Sequence, residues 1–162
     1  MSAPSGGTSG TALDPRVVRW REPVQPGWID YNGHLSEAYY VLVLGHATDA
    51  VMAAVGLGED YRAASGASLF IVEAHIRYLD QVSADAELEV RSTVVGAGAK
   101  KLHLWHEMWV DGSLRATEEV LGVHVDLDTG RASPFPDAVR TSVDALLVDP
   151  PEEAGRSVRV SR

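Results

Sequence analysis

Residues 27–58, "GWIDYNGHLSEAYYVLVLGHATDAVMAAVGLG", decide how the chain folds. They open with a polar knot, Asp30-Tyr31-Asn32-Gly33-His34, whose Asn-Gly pair signals a turn. A long, nearly uncharged run follows. Ser36 stands where a helix N-cap belongs. Tyr40, Leu44, Ala47, Val51 and Ala54 then recur at helical spacing, joined by Val43 and Val55, so the spacing predicts a helix to about Val55. Val41, Leu42 and Met52 lie on the opposite side. A helix apolar on almost every side is normally buried. Gly56-Leu57-Gly58 supplies its glycine end.

Around this helix the pattern has a period of two. Arg16–Val24 reads as a strand ended by Pro23 and Pro26, and Gly27–Gly33 as a loop. Ser68–Leu79, Ala86–Gly96, Lys100–Val110 and Arg115–Asp128 read as four more strands, with Asp111-Gly112-Ser113 as a hairpin turn. A short helix is expected near Asp137–Leu147. One strand, a long helix and four strands joined by short turns make an α+β fold with an antiparallel sheet, and that sheet has to wrap the helix. There is no internal repeat and no dividing linker. One domain is expected over residues 15–148, between a disordered N-terminal tail, 1–14, and a flexible C-terminal tail, 149–162.

The totals narrow the function. A chain of 162 residues that is 45% hydrophobic builds one ordinary core. The net charge of −9 argues against a nucleic-acid partner, which would want a clustered basic face. Cysteine is absent, which excludes thiol catalysis, disulfides and cysteine metal sites. No apolar run is long enough to span a membrane. The first residues lack the charged and apolar regions of a signal peptide, so a cytoplasmic location is expected.

The element order and "WIDYNGHLSEAYY" resemble hotdog-fold acyl-CoA thioesterases of the 4-hydroxybenzoyl-CoA type, with their Asp-x-x-Gly-His motif. The likeness covers roughly Val17 to Pro136. "EAHIRYLDQV", "AELEV", "KKLHLWHEM", "RATEEVLGVHVDLDTGR" and "PFP" are most similar to the betainyl-CoA thioesterases of carnitine degradation. Leu35 and Ser36 depart from the Met and Asn frequent there. The resemblance implies an acyl-CoA substrate, no cofactor, a homodimer or homotetramer, and active sites shared between two subunits.

Thioester hydrolysis needs an activated water or a nucleophile, and stabilisation of the carbonyl oxygen as it gains charge. Asp30 suits the first need, as general base or as nucleophile. Without the resemblance, a carboxylate that merely orders its own loop is an equal reading. The free N–H groups at the helix start suit the second. The motif places that donor at or near the backbone of Glu37, with Gly33 letting the chain approach the substrate closely. The His34 imidazole is read as fixing the loop in preference to transferring a proton.

Glu73 interrupts an apolar run and is expected to be buried, sharing a strand face with His75 and Arg77. It belongs either to an internal ion-pair ladder or to the substrate pocket. Trp28, Tyr31, Asn32 and Trp105 are candidate pocket residues, and Lys100 or Lys101 a candidate contact for a CoA phosphate. His103 and His106 fall on opposite strand faces and cannot chelate together, so no metal is expected. Two other functions compete. A hotdog dehydratase or hydratase would place its acid–base pair differently. A non-catalytic acyl-CoA binder gains nothing from a carboxylate beside a thioester.

Overall fold

A computed structural model describes residues 12–155. Strand β1 (Val18–Pro23) leads through a single 3-10 turn, Pro26–Trp28, into helix α1 (Glu37–Ala54). Helix α2 (Glu59–Ser65) follows, and then strands β2 (Ala67–Tyr78), β3 (Glu87–Ala97), β4 (Lys101–Val110) and β5 (Ser113–Asp126). A two-residue strand β6 (Arg131–Ala132) and helix α3 (Asp137–Leu146) complete the order. The sheet runs β1-β3-β4-β5-β2, antiparallel throughout, with β6 on β5. This is the antiparallel α+β arrangement that the element order predicts and the hotdog fold that the resemblance implies.

Register shifts bend the sheet around α1, at Ile71/Glu73 in β2, Val94/Gly96 in β3 and Met108/Trp109 against β5. An extra residue on one strand raises the local twist and bend. The first half of α1 packs Tyr40, Val43, Leu44 and Ala47 on Leu88, Val90 and Met108. The second half packs Val51 and Val55, with α3, on Val94, Leu102 and Leu104.

Three expectations change. Helix α1 is covered on the sheet side only: Val41 and Leu42 are exposed. Helix α2 was not expected, because seven residues hold too few turns to set up an apolar period. Residues 149–155 of the expected C-terminal tail come back to the sheet, where the Gly155 N–H donates to Glu119 Oε2 at 2.7 Å. Residues 1–11 of the N-terminal tail and 156–162 of the C-terminal one lie outside the described residues.

Candidate active site

The polar knot is a closed loop built by its own backbone. Asp30 N–H donates to His34 O at 2.9 Å, and Gly33 N–H to Asp30 O at 3.0 Å. Gly33 has φ +82°, a left-handed geometry that favours glycine. The Asp30 carboxylate accepts at Oδ1 from Asn32 N–H at 2.8 Å and His34 N–H at 3.3 Å. Oδ2 has no hydrogen-bond partner among the described residues. The loop is tied to the start of α1 by Ser36 N–H on Trp28 O and Leu35 N–H on Val82 O, both 2.9 Å.

Ser36 occupies the N-cap position, but its hydroxyl makes no capping bond. Among the described residues the N–H groups of Glu37 and Ala38 also have no acceptor. They carry the positive end of the α1 dipole. Both the loop and this helix end open on one cleft of about 870 Å³, lined by Asp30, Tyr31, Asn32, His34, Glu37 and Tyr78 among others. Tyr31 is 98% exposed, so no other part of the described chain covers it.

The other expected residues lie elsewhere. Trp28 stacks on Tyr39, ring centroids 5.4 Å apart, and braces the loop without lining the cleft. Lys100 and Lys101 are exposed at the start of β4 and do not line it. His106 on β4 reaches Thr48 of α1, so Trp105 beside it faces away from the helix, its indole N–H on Glu107 at 3.2 Å.

Glu73 requires a correction: it is exposed, not buried. It sits at the bulge of an edge strand and lines a pocket of about 280 Å³ with His75, His103 and Glu119. That pocket lies across the sheet from α1. The ladder there centres on Glu119, which meets His103 at 2.9 Å and His75 at 3.7 Å. Although burial raises its pKa, the Gly155 N–H and His103 together hold Glu119 below the usual value. His34 also requires a correction: it anchors the loop through its main chain and not through its imidazole, which has no hydrogen-bond partner among the described residues.

A sequence model of the thioesterase-like superfamily matches residues 24–143, most of the chain. The chain belongs to that superfamily. It is 42% identical over 150 residues to the betainyl-CoA thioesterase of Pseudomonas aeruginosa, covering 88% of this chain and 94% of that one. Identity is also 42% to an L-carnitine dehydrogenase/betainyl-CoA thioesterase of Agrobacterium fabrum, over 86% of this chain but only 30% of that longer protein. A solved candidate thioesterase of Pseudomonas putida superposes with a TM-score of 0.77 at 31% identity, covering 93% of this chain and all of that one. A Staphylococcus aureus protein solved with CoA shares the fold, with a TM-score of 0.84 at 23% identity over 93% of this chain and 99% of that one.

This thioesterase-family chain holds a further acid that sequence reasoning missed. Glu118 on β5 is 4% exposed, beside Thr48 and Val120 in a second pocket along α1. Strand alternation supplied the signal, since Glu118 falls in phase with inward-facing Ala116 and Val120. Burial pushes its carboxyl up to about 7. Opposite it in the β4–β5 register stands His106, which burial holds down to about 4 and so neutral. Thr48 Oγ1 donates to Leu44 O, so it accepts from His106 Nε2–H at 3.0 Å. His106 Nδ1 then accepts from Ser92 Oγ–H at 2.7 Å.

The raised carboxyl has a consequence for stability. A glutamate near 4.5 in the unfolded chain and about 7 in the fold binds its proton more tightly when folded. Its stabilising contribution is complete below 4.5 and is lost as pH rises to about 7, a loss of about 3 kcal/mol. In Glu118→Gln this part of the pH dependence should vanish. Thermal melts from pH 5 to 8 would test it, and wild type and variant falling in parallel would refute it.

Proposed function

We propose that this thioesterase hydrolyses betainyl-CoA to the free acid and CoA, with Asp30 as the catalytic carboxylate. One observation carries the reading: Asp30, with Oδ2 unpartnered, and Glu37, with its N–H free, line one cleft. The thioester oxygen accepts from Glu37 N–H, where the dipole of α1 favours the charge that develops. Asp30 takes a proton from water as it attacks the carbonyl, or attacks the carbonyl itself to form an anhydride that water opens. On either route the carbon–sulfur bond breaks and CoA leaves as thiolate; on the second, water attacks the acyl carbon of the anhydride, so that the acid gains an oxygen from water and Asp30 is released as a carboxylate.

The acyl group is supported by the 42% identity to the Pseudomonas aeruginosa betainyl-CoA thioesterase. The same reading places the enzyme in the cytoplasm as a homodimer or homotetramer. Exposed Val41 and Leu42 on α1, with Phe70, Ile71 and Val72 on β2, form an apolar surface suited to a second copy. Such a copy would also bring another wall to the open cleft and to Tyr31.

Release of free thiol from a panel of acyl-CoAs tests this. Betainyl-CoA should be preferred in kcat/KM by about tenfold or more over 3,3-dimethylbutanoyl-CoA, in which carbon replaces the nitrogen, the scale of one good cation contact. Equal efficiency would leave the thioesterase assignment standing and remove the betainyl one.

A further inference from the structure

The second pocket along α1 is built around one acid that the hydrolytic site does not use. It measures about 580 Å³ and lies between α1, β2 and β5. Its walls include Val41, Leu42, Met52, Ile71 and Val120, and no Lys or Arg lines it. Glu118, 4% exposed, has no hydrogen-bond or ion-pair partner among the described residues. Asp49, at the pocket's exposed side, adds a second negative charge. His46, also in the wall, is taken by Glu22 at 2.6 Å. Neutral His106 is bound to Thr48 and Ser92. Nothing charged in the described chain offsets Glu118, and a buried carboxylate without a partner is costly. A carboxylate in such a place is suited to a cation that arrives with the substrate.

We infer that Glu118 is the counter-ion for an alkylated ammonium group on the acyl chain, seated in this pocket. The walls choose the kind of cation. A primary ammonium brings three N–H donors that need acceptors, whereas beside the carboxylates the side chains of these largely aliphatic walls leave the Ser68 hydroxyl to receive them, the Thr48 hydroxyl already serving Leu44 and His106. A quaternary ammonium brings no donors. Its methyl groups pack on aliphatic walls while its charge is attracted to the carboxylate.

The pocket is in line with the reaction. Glu37 lines the cleft, while Val41, Gly45, Asp49 and Met52 continue the same stripe of α1 into the pocket. Glu37 and Val41 are one turn apart, about 6 Å. In a betainyl thioester the nitrogen is one methylene from the carbonyl carbon, about 2.5 Å. An oxygen held on the first N–H groups of α1 therefore lets the methylated nitrogen point to the second turn, where the pocket begins. Tyr78 lines the cleft, and after partial burial the charges of Glu37 and of Glu118 raise its hydroxyl pKa, so both acids are within electrostatic reach of one phenol.

This assignment rests on the betainyl reading for its substrate, so the test has two arms. In the first, kcat/KM for betainyl-CoA and for 3,3-dimethylbutanoyl-CoA is measured in the full-length enzyme and in Glu118→Gln, which keeps size and removes charge. The preference for the cation should fall at least about fivefold in the variant, mostly through KM. In the second, tetramethylammonium chloride is titrated against both proteins with NMR detection. It should shift the amides of Ala74 and Val120 in the wild type and, at equal concentration, much less in Glu118→Gln. Sodium chloride at matched ionic strength is the control. A preference that survives in the variant, or equal shifts in both proteins, overturns the role of Glu118 and leaves the hydrolase reading intact. If the wild type hydrolyses neither thioester, the betainyl reading falls and the titration alone decides on the cation seat.

Discussion

Asp30→Asn is expected to fold normally and to lose turnover by about a hundredfold or more, the scale of a lost acid–base group. The geometry explains why the two effects separate. The carboxylate uses Oδ1 to accept from the N–H groups of Asn32 and His34, and an asparagine carbonyl oxygen can accept the same two bonds. Gly33 N–H on Asp30 O and Asp30 N–H on His34 O are main-chain bonds that the substitution does not touch. The loop should hold its shape and melting temperature. What changes is the group at the Oδ2 position. An amide nitrogen there neither accepts a proton from water nor attacks a carbonyl. KM should change little, because the N–H groups of Glu37 and Ala38 remain to receive the thioester oxygen. Steady-state kinetics with the best thioester of the panel would decide the matter. A variant that works at near wild-type rate would remove Asp30 from the mechanism and leave the helix end as the main catalytic element.

The second large effect concerns assembly. Strand β2 is at the edge of the sheet, paired with β5 on one side only. Phe70, Ile71 and Val72 on it are 46%, 43% and 59% exposed, and Val41 and Leu42 on α1 are 47% and 42% exposed. An apolar, unprotected edge invites pairing with another chain unless something covers it. A second copy meeting it edge to edge covers strand and helix together, and a stable contact of this kind takes about 800 Å² from each partner. Phe70→Lys combined with Val72→Lys alters two exposed side chains that line neither the cleft nor the pocket around Glu118, so the single-chain fold should tolerate both. Across a two-fold axis the pair brings four like charges into one contact. The variant should sediment as a monomer at micromolar concentration. It should also lose more than about tenfold in kcat/KM, because the cleft beside Tyr31 would then lack its second wall. Persistence of the dimer would place the interface elsewhere. A fully active monomer would remove the shared-site picture.

Much of the molecule was legible in residues 27–58. Helix periodicity and the glycines after Val55 set α1. Period-two alternation found strands β1 to β5 within a few residues of their observed ends. The Asp30–His34 knot was legible for a related reason. Its bonds run between residues two to four apart, so a short local pattern contains the whole structure.

Periodicity reports which residues share a face, and says nothing of what covers that face. Both sides of α1 are apolar, yet the fold covers one, because a single curved sheet has one concave surface. Glu73 lies in an apolar run that suggests burial. The non-sequential order β1-β3-β4-β5-β2 leaves its strand at the edge, and a bulge turns at that residue. Glu118 shows the converse. Within "RATEEVLGVHVD" it looks like one of two adjacent surface acids, and alternation assigns them to opposite faces without saying which is inside. Only the place of β5 beside β4, on the sheet face that turns to α1, put Glu118 in the interior and Glu119 on the far side with its two histidines. The sequence alone determined the helix, the strands and the reactive loop, because local backbone geometry decides those. The tertiary structure decided which acid is desolvated and which apolar surface remains open, because burial depends on partners that are distant along the chain.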